Sequence, residues 1–218
     1  MLNRVIDKLI EKRWIRFDAT GYWNRRYARG GDSGEGSKGR LAVFKADFIN
    51  QFVQKNQIVH VIELGCGDGL QLQLAKYPRY TGYDISEVAI QYCREKFKDD
   101  PVKKFEVLTK GMDFSADYGQ WDLALSLDVL YHIIDDTEFK NYLHTLFHLS
   151  SRYVILYAPD QHPEKQSNVH VRFRKFSTYI QQEFPEWTLI ERIPNPFSSD
   201  YPAPGNTSAS EFFIYQRG

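Results

Sequence analysis

From Ile58 onward the sequence alternates short β-rich runs with amphipathic helical stretches, and this alternation constrains the fold more than any other feature. The β-rich runs are IVHVIEL, RYTGYDI, KFEVLT, WDLALSL and RYVILYA. Helices are predicted between them, near residues 70–75, 87–97 and 137–149. Strands that alternate with helices form a parallel sheet covered by helices. A doubly wound α/β domain is therefore predicted.

The regular alternation of strands and helices ends after the fifth predicted strand. FRKFSTYIQQEF is typical of a helix, and WTLIERI and EFFIYQR are typical of strands. The connection between these last strands is rich in Pro, Ser and Gly and too short for an ordinary crossover helix, which predicts an antiparallel hairpin. The result is a seven-stranded, mostly parallel sheet in residues 58–218. Residues 1–57 are predicted to form a helical cap with a glycine-rich lid, as part of the same domain.

Length and composition indicate one globular domain. The chain has 218 residues and no formal net charge, so no global basic field attracts nucleic acid or an anionic membrane. Its two cysteines, Cys66 and Cys93, lack metal-ligand spacing and are predicted to pack as small buried residues, with no metal site. MLNRVIDKLIEKRW carries charges throughout, unlike a signal peptide. A soluble cytoplasmic protein is expected, and its oligomeric state stays open.

A glycine-rich turn, in VIELGCGDG, follows the first predicted strand directly. Gly65, Gly67 and Gly69 permit a sharp turn and let a ligand approach the amides at the start of the next helix. Asp84 ends the second strand, where a carboxylate can accept hydrogen bonds from both hydroxyls of a ribose. These features predict a nucleoside-containing cofactor.

The charges beside this turn distinguish between cofactors. A dinucleotide brings a pyrophosphate and usually meets Gly-x-Gly-x-x-Gly, whereas this chain has Gly-x-Gly-x-Gly with Glu63 before the turn and Asp68 inside it. Two carboxylates repel a pyrophosphate but attract the ammonium and sulfonium groups of S-adenosylmethionine at short range. The charges favour S-adenosylmethionine and disfavour a nucleotide-dependent oxidoreductase.

Over about residues 58–218 the sequence resembles the class I S-adenosylmethionine-dependent methyltransferases of the small-molecule type. The resemblance rests on ELGCGDG, GYDIS, GMDF after the third strand and SLDVLYHI after the fourth. It implies a Rossmann-like fold and a transferase activity. It also implies that the first loop holds the methionine part, the acid ending the second strand holds the ribose, and the acid after the third strand contacts the adenine amine. The cofactor-binding residues so expected are Glu63, Gly65, Cys66, Gly67, Asp68, Gly69, Asp84, Ile85, Met112 and Asp113.

Three further candidates follow the fourth strand, at the edge of the sheet where ligands of such folds bind. Asp128, Tyr131 and His132 are the predicted catalytic residues, with Asp128 or His132 as the general base for a hydroxyl acceptor. The alternative for His132 is structural: its ring packs under the loop after the fifth strand and caps the next helix. A second hypothesis for the whole chain is an inactive cofactor-binding regulator or partner protein.

His170, Arg172 and Arg174 alternate in NVHVRFRKF and share one face if that segment is extended. They predict an anionic or polyhydroxylated acceptor, and the alternative is a salt-bridged or solvated face. The same stretch, with YWNRRYARGGDSGEGSKGR, is similar to bacterial methyltransferases associated with glycan and secondary-metabolite gene clusters, which implies a sugar-like acceptor. The Asp/Asn-Pro-Pro-aromatic motif of base amino-methyltransferases is absent, so a small-molecule acceptor is expected and nucleic acid is not.

Residues 29–40, RGGDSGEGSKGR, hold five glycines between two apolar flanks. The composition alone is typical of a flexible linker. The flanks favour a lid that folds over the cofactor, with Trp23 and Arg26 as cofactor contacts and Tyr27 as a substrate contact. Both interpretations stay open at the level of sequence.

Overall fold

A single seven-stranded sheet organises the protein. The computed structural model describes residues 17–161, 170–197 and 207–218. The strand order is β3-β2-β1-β4-β5-β7-β6, and every neighbouring pair is parallel except the two that involve β7. The predicted seven-stranded Rossmann-like sheet with an antiparallel C-terminal hairpin is confirmed, and the hairpin is inserted so that β7 pairs with β5 on its other side.

The elements begin and end within a few residues of their predicted bounds. The strands are β1 (His60–Leu64), β2 (Arg79–Asp84), β3 (Lys103–Val107), β4 (Trp121–Leu127), β5 (Ser150–Ala158), β6 (Trp187–Ile193) and β7 (Glu211–Arg217). The α-helices are α1 (Ala19–Ala28), α2 (Gly39–Lys55), α3 (Glu87–Lys96), α4 (Asp136–Leu149) and α5 (Phe176–Glu183). The helix expected near residues 70–75 is a short 3-10 turn, Gln71–Leu74.

The strands bury alternate side chains on opposite faces of the sheet, as expected for a sheet covered on both sides. Ile49 and Phe52 of α2 and Ile90 of α3 pack against one face. Leu143 of α4 and Ile180 of α5 pack against the other. Helix α2 therefore forms part of a covering layer of the sheet.

Local sequence explains where the site-forming helices begin. Ser86 caps α3 by accepting a hydrogen bond from the Ala89 amide, and Asp135 caps α4 by accepting one from Glu138. Ser86 Oγ also donates to Asn24 Oδ1 at 2.7 Å, which fixes α1 against the start of α3. Both cysteines are buried, as predicted. Of the predicted N-terminal cap, residues 1–16 lie outside the described residues.

The carboxyl ends of β1 and β4 are adjacent although the two strands are distant in sequence. The chain order reverses at this point, and open α/β sheets bind their ligands in the crevice that the reversal creates. Within the described ranges, no helix has the length and apolar character needed to cross a bilayer.

Candidate active site

A cavity of about 1240 Å³ opens at the carboxyl ends of the parallel strands. Its walls come from the turns after the first five strands, from α1 and from residues 33–37 of the glycine-rich segment. The predicted site residues that line it are Trp23, Arg26, Tyr27, Glu63, Gly65, Cys66, Gly67, Asp84, Ile85, Met112, Asp128, Tyr131, His132 and His170. The fold thus brings together positions from six separate stretches of sequence.

The glycine-rich turn needs its glycines for two reasons. Gly65, Gly67 and Gly69 have φ angles of 89°, 57° and 70°, in the left-handed region that side chains disfavour. A Cβ on Gly65 would lie 2.4 Å from Val129, and one on Gly67 would lie 2.3 Å from Ser33 Oγ. The turn is therefore closely packed against two other segments of the cavity wall.

Asp84 presents its carboxylate to the cavity with one backbone amide on each oxygen. The amide of Gly67 donates to Oδ2 at 2.9 Å and that of Ser86 to Oδ1 at 2.8 Å. A carboxylate oxygen accepts more than one hydrogen bond, so each can also accept from a ligand hydroxyl. Burial raises the pKa of Asp84 to about 6, and the two amides oppose this shift.

Glu63 lies at the base of the cavity near the end of β1 and is almost fully buried. Its Oε2 accepts a hydrogen bond of 2.7 Å from the hydroxyl of Tyr80. Burial raises the pKa of Glu63 to about 7, although the Tyr80 hydroxyl and the charge of Lys45 act in the opposite direction. A cationic ligand group beside Glu63 would favour its charged form.

The second predicted acid, Asp68, is covered by the glycine-rich segment and does not line the cavity. Ser33 Oγ donates to Asp68 Oδ1 at 2.7 Å and accepts from the Asp68 amide at 3.2 Å. The hydroxyl of Tyr27 lies 3.2 Å from the same Ser33 Oγ. Residues 29–40 are therefore folded onto the first loop, in the position expected of a lid.

Asp128, directly after β4, is held by three groups. Its φ is 60°, unusual for a residue with a side chain. Lys45 Nζ donates to Oδ2 at 2.8 Å, and the hydroxyls of Ser210 and Tyr131 donate to Oδ1 at 2.8 and 3.3 Å. These bonds give each carboxylate oxygen of Asp128 a donor from the protein.

Lys45 is the functional candidate that the sequence argument missed. Its side chain is only 1% exposed, although it carries a charge. The signal was present in the helical pattern, because Lys45 stands four residues after Leu41 and four before Ile49, on the apolar stripe of α2. A lysine in that stripe requires a buried acid, and Asp128 supplies it.

His132 is neutral and has a defined tautomer. Its Nδ1 lies 3.0 Å from the carbonyl oxygen of His170, and because a carbonyl only accepts, Nδ1 carries the proton. The other ring nitrogen, Nε2, is then a hydrogen-bond acceptor. Burial lowers the pKa of His132 to about 4. The α4 cap is Asp135, so His132 does not perform the capping role proposed as its alternative.

Comparison with known proteins agrees with this geometry. Residues 61–151 match the family model described as a methyltransferase domain. This stretch is therefore similar to a methyltransferase domain, and the chain has the Rossmann-like fold of solved methyltransferases. No curated protein matches the sequence of the chain.

Three solved structures illustrate this likeness. The N-methyltransferase NodS from Bradyrhizobium japonicum WM9, in complex with S-adenosylhomocysteine, has a TM-score of 0.68 at 16% identity, covering 92% of this chain and 99% of its own. Magnesium protoporphyrin IX methyltransferase from Synechocystis PCC 6803, with bound S-adenosylhomocysteine, has a TM-score of 0.65 at 18% identity, covering 92% and 98%. The methyltransferase domain of bacterial CtHen1-C has a TM-score of 0.63 at 16% identity, covering 80% and 97%.

Asp113 is a correction to the sequence-based assignment of site residues. It lies outside the cavity lining and accepts a hydrogen bond of 2.8 Å from the Ser115 amide. Strand β3 ends at Val107, and residues 108–112 and Phe114 line the cavity after it, whereas the side chain of Asp113 is exposed and turned toward Ser115. Met112 still reaches the cavity. Gly69, also expected at the cofactor, packs behind the turn near Phe97 and Cys93.

Arg172 and Arg174 also lie outside the cavity lining. Both form ion pairs with Asp136, at 2.9 and 3.0 Å. Arg172 donates to the carbonyl of Ile134, and Arg174 donates to those of Ile133 and Ile134. Their positions match the salt-bridged alternative. Among the residues with described placement, no three His, Cys, Asp or Glu side chains converge as metal ligands would.

The contact between Ser33 and the first loop predicts that Ser33→Ala loosens residues 29–40. Loss of the hydroxyl removes both bonds to Asp68, so we expect faster trypsin cleavage at Arg29, Lys38 and Arg40. The rate is measured by mass spectrometry on the protein without ligand. Ser33→Thr keeps the hydroxyl and should cleave at the wild-type rate. Equal rates for all three proteins would show that the hydroxyl does not fix the segment.

Burial of Glu63 predicts a pH dependence of stability. The pKa of Glu63 in the folded protein, about 7, exceeds its ordinary value of 4.5. The contribution of this carboxyl group to stability is therefore fully present below about pH 4.5 and is lost as the pH rises through 7. We expect the unfolding free energy of Glu63→Gln to fall less than that of the wild type over that range. At pH 8 the unfolding free energy of the variant should be the higher of the two. Urea melts without ligand measure this. Glu106→Gln, at an exposed acid, should leave the slope unchanged, and a wild-type slope in Glu63→Gln would contradict the assignment.

Proposed function

We propose that this protein is an S-adenosylmethionine-dependent methyltransferase that methylates an oxygen atom of a small-molecule acceptor. One observation supports this most strongly: Asp84 and His132 line the same cavity, at the crossover between β1 and β4. The Asp84 carboxylate is fixed by hydrogen bonds from backbone amides, and Nε2 of His132 can accept a hydrogen bond. A cofactor held by the first group lies beside the second. The inactive regulator is the competing hypothesis, and the turnover measurement below separates the two.

The residues present fit the cofactor. Gly65 and Gly67 line the cavity, and neither has space for a Cβ, because Val129 and Ser33 pack against them. Asp84 has acceptor capacity on both oxygens for a ribose diol. Glu63 provides a carboxyl group that a ligand cation would ionise, whereas a pyrophosphate would be repelled there.

Ile85, Leu108 and Met112 line the wall where an adenine ring would lie. Thr109, in the same wall, replaces Asp113 as the proposed partner of the adenine amine. When bound, S-adenosylmethionine supplies a methyl group on a sulfonium, and transfer to a hydroxyl breaks the carbon–sulfur bond, leaves its electron pair on sulfur and releases the hydroxyl proton.

His132 is the proposed general base for that proton. Its Nε2 lone pair is available because Nδ1 donates to the His170 carbonyl, and its pKa of about 4 keeps the ring neutral at physiological pH. Asp128 and Tyr131 are positioning residues in this proposal. Their mutual hydrogen bond and the Lys45 ion pair hold the turn that carries His132.

Residues 29–40 act in this proposal as a lid over the methionine end of the cofactor, with Trp23 and Arg26 beside it. The docking of Ser33 on Asp68 supports that role. The lid and α1 belong with the sheet in one domain, because Asn24 is bonded to Ser86 and α2 covers the sheet.

The cofactor assignment predicts that Asp84→Ala weakens binding of S-adenosylhomocysteine by roughly 1.5 to 3 kcal/mol, the range for loss of a charged hydrogen-bond partner. Isothermal calorimetry measures the affinity. Asp113→Ala, at an exposed acid outside the cavity, should bind as tightly as the wild type. Binding of NAD in place of S-adenosylhomocysteine, or wild-type affinity in Asp84→Ala, would refute the assignment.

The base assignment predicts that His132→Ala lowers turnover of a hydroxylated acceptor about 100-fold or more while S-adenosylhomocysteine affinity stays nearly intact. Turnover is followed as release of S-adenosylhomocysteine. His60→Ala, at a histidine that begins β1 and does not line the cavity, serves as the control. Because the His132 pKa is about 4, the wild-type rate should not fall through its protonation between pH 8 and 6. Normal turnover in His132→Ala would exclude this residue as the base.

A further inference from the structure

Six aromatic side chains form one continuous surface on the wall of the cavity opposite the glycine-rich turn. We name this surface the aromatic wall, and it consists of Tyr22, Trp23, Tyr131, His132, His170 and Phe173. They come from α1, from the turn after β4 and from the segment before α5. Such a concentration of rings in one cavity wall requires an explanation, because exposed aromatic surface is costly in water.

The rings touch one another in sequence across the wall. Trp23 meets His132 edge to face with centroids 5.1 Å apart, and His132 meets Tyr131 at 4.4 Å. Tyr22 stacks on His170 at 5.0 Å, and Tyr131 contacts Phe173 at 6.1 Å. The wall is therefore a preformed apolar surface of rings fixed by their neighbours.

The wall begins beside the proposed cofactor site. Trp23 stacks on Tyr27 at 5.9 Å, and the Tyr27 hydroxyl lies at Ser33, which covers Gly67. At its centre lies His132, the proposed base. A ring lying on this wall would bring a substituent close to both groups.

The wall presents mainly ring surface, and two of its polar groups are bonded to the protein. The Tyr131 hydroxyl donates to Asp128, and His132 Nδ1 donates to the His170 carbonyl. An acceptor with many hydroxyls would leave several of them without partners on this surface, which is unfavourable once water is excluded. A sugar-like acceptor is disfavoured for this reason.

Charge on the wall is also largely compensated. Burial lowers the pKa of both His132 and His170, so both rings favour the neutral form. Arg172 and Arg174 are paired with Asp136 outside the cavity lining. Arg26 lies 5.6 Å from the Trp23 ring, with Asp32 as its ion-pair partner. The positive charge that an anionic acceptor would need is thus committed to carboxylates of the chain.

We propose that the aromatic wall is the acceptor site and that it binds a neutral, planar aromatic ring carrying a hydroxyl group, with that hydroxyl directed at His132 Nε2. The proposal rests on the proposed function and specifies its acceptor class. Stacking on the wall supplies the affinity, and the single hydroxyl donates to the acceptor nitrogen of His132.

Three neutral or charged probes test the proposal on the protein saturated with S-adenosylhomocysteine. Methyl para-hydroxybenzoate is a neutral phenol, para-hydroxybenzoate is its anionic counterpart, and methyl β-glucoside is a neutral polyol. We expect calorimetry to show the tightest binding for the neutral phenol. With S-adenosylmethionine, the same phenol should be methylated on its hydroxyl.

Variants of the wall separate ring stacking from general loss of structure. Trp23→Ala and His170→Ala should each weaken binding of the neutral phenol about tenfold or more, whereas Trp23→Phe retains a ring and should retain most of the affinity. Tyr118→Ala removes an exposed aromatic side chain outside this cavity and should have no effect. A far-UV circular dichroism spectrum and an unfolding midpoint equal to those of the wild type verify that the fold of each variant is intact.

The outcomes distinguish this inference from the proposed function. If S-adenosylhomocysteine itself fails to bind, the proposed function fails. If it binds but the glucoside or the anion binds more tightly than the neutral phenol, the function stands and the aromatic acceptor is refuted. Wild-type phenol affinity in Trp23→Ala and His170→Ala would refute the wall as the site.

Discussion

The buried ion pair between Lys45 and Asp128 is the contact on which the candidate site depends. It joins α2 to the residue that ends the central strand β4, across 83 positions of sequence. Asp128 has a left-handed backbone conformation, which costs on the order of 1 to 3 kcal/mol and persists only where the surroundings enforce it. The lysine, together with Ser210, supplies that enforcement, and the turn bearing Tyr131 and His132 follows directly. The charge of Lys45 also acts on Glu63, so one lysine couples the floor of the cavity to its opposite wall.

The cavity combines two surfaces with different physical characters. One side consists of backbone amides and buried acids around the glycine-rich turn, where the chain can hold polar and cationic groups. The other consists of aromatic rings, among which Tyr131 and His132 are fixed by hydrogen bonds within the protein. A charged, flexible ligand suits the first surface, and a flat apolar one suits the second. His132 belongs to the second surface and faces the space that both enclose.

The sequence predicted the sheet well because periodicity and glycine placement are local signals. The strand WDLALSL and the turn ELGCGDG could be located without knowledge of tertiary contacts, and the structure agrees with both. Predictions that depended on distant partners were less accurate. Arg172 and Arg174 were predicted to form a cationic face, but Asp136, at the start of α4, pairs with both of them. Asp113 lies outside the cavity lining because its side chain accepts from the Ser115 amide instead, and Lys45 was overlooked because its partner lies after β4. The spacing of positively charged residues in a sequence does not reveal which carboxylates they will pair with in the folded protein.

The position of β7 has a consequence for the order in which the chain can assemble. Strand β7 is made after β6 yet lies between β5 and β6, with antiparallel pairing on both sides. During synthesis on the ribosome, β6 therefore has no strand to join until residues 211–217 have emerged. Ser210, directly before β7, also donates to Asp128, so the same late segment completes the hydrogen bonding of the turn after β4. A nascent chain that ends before this segment contains the glycine-rich turn, but Asp128 still lacks its hydrogen bond from Ser210.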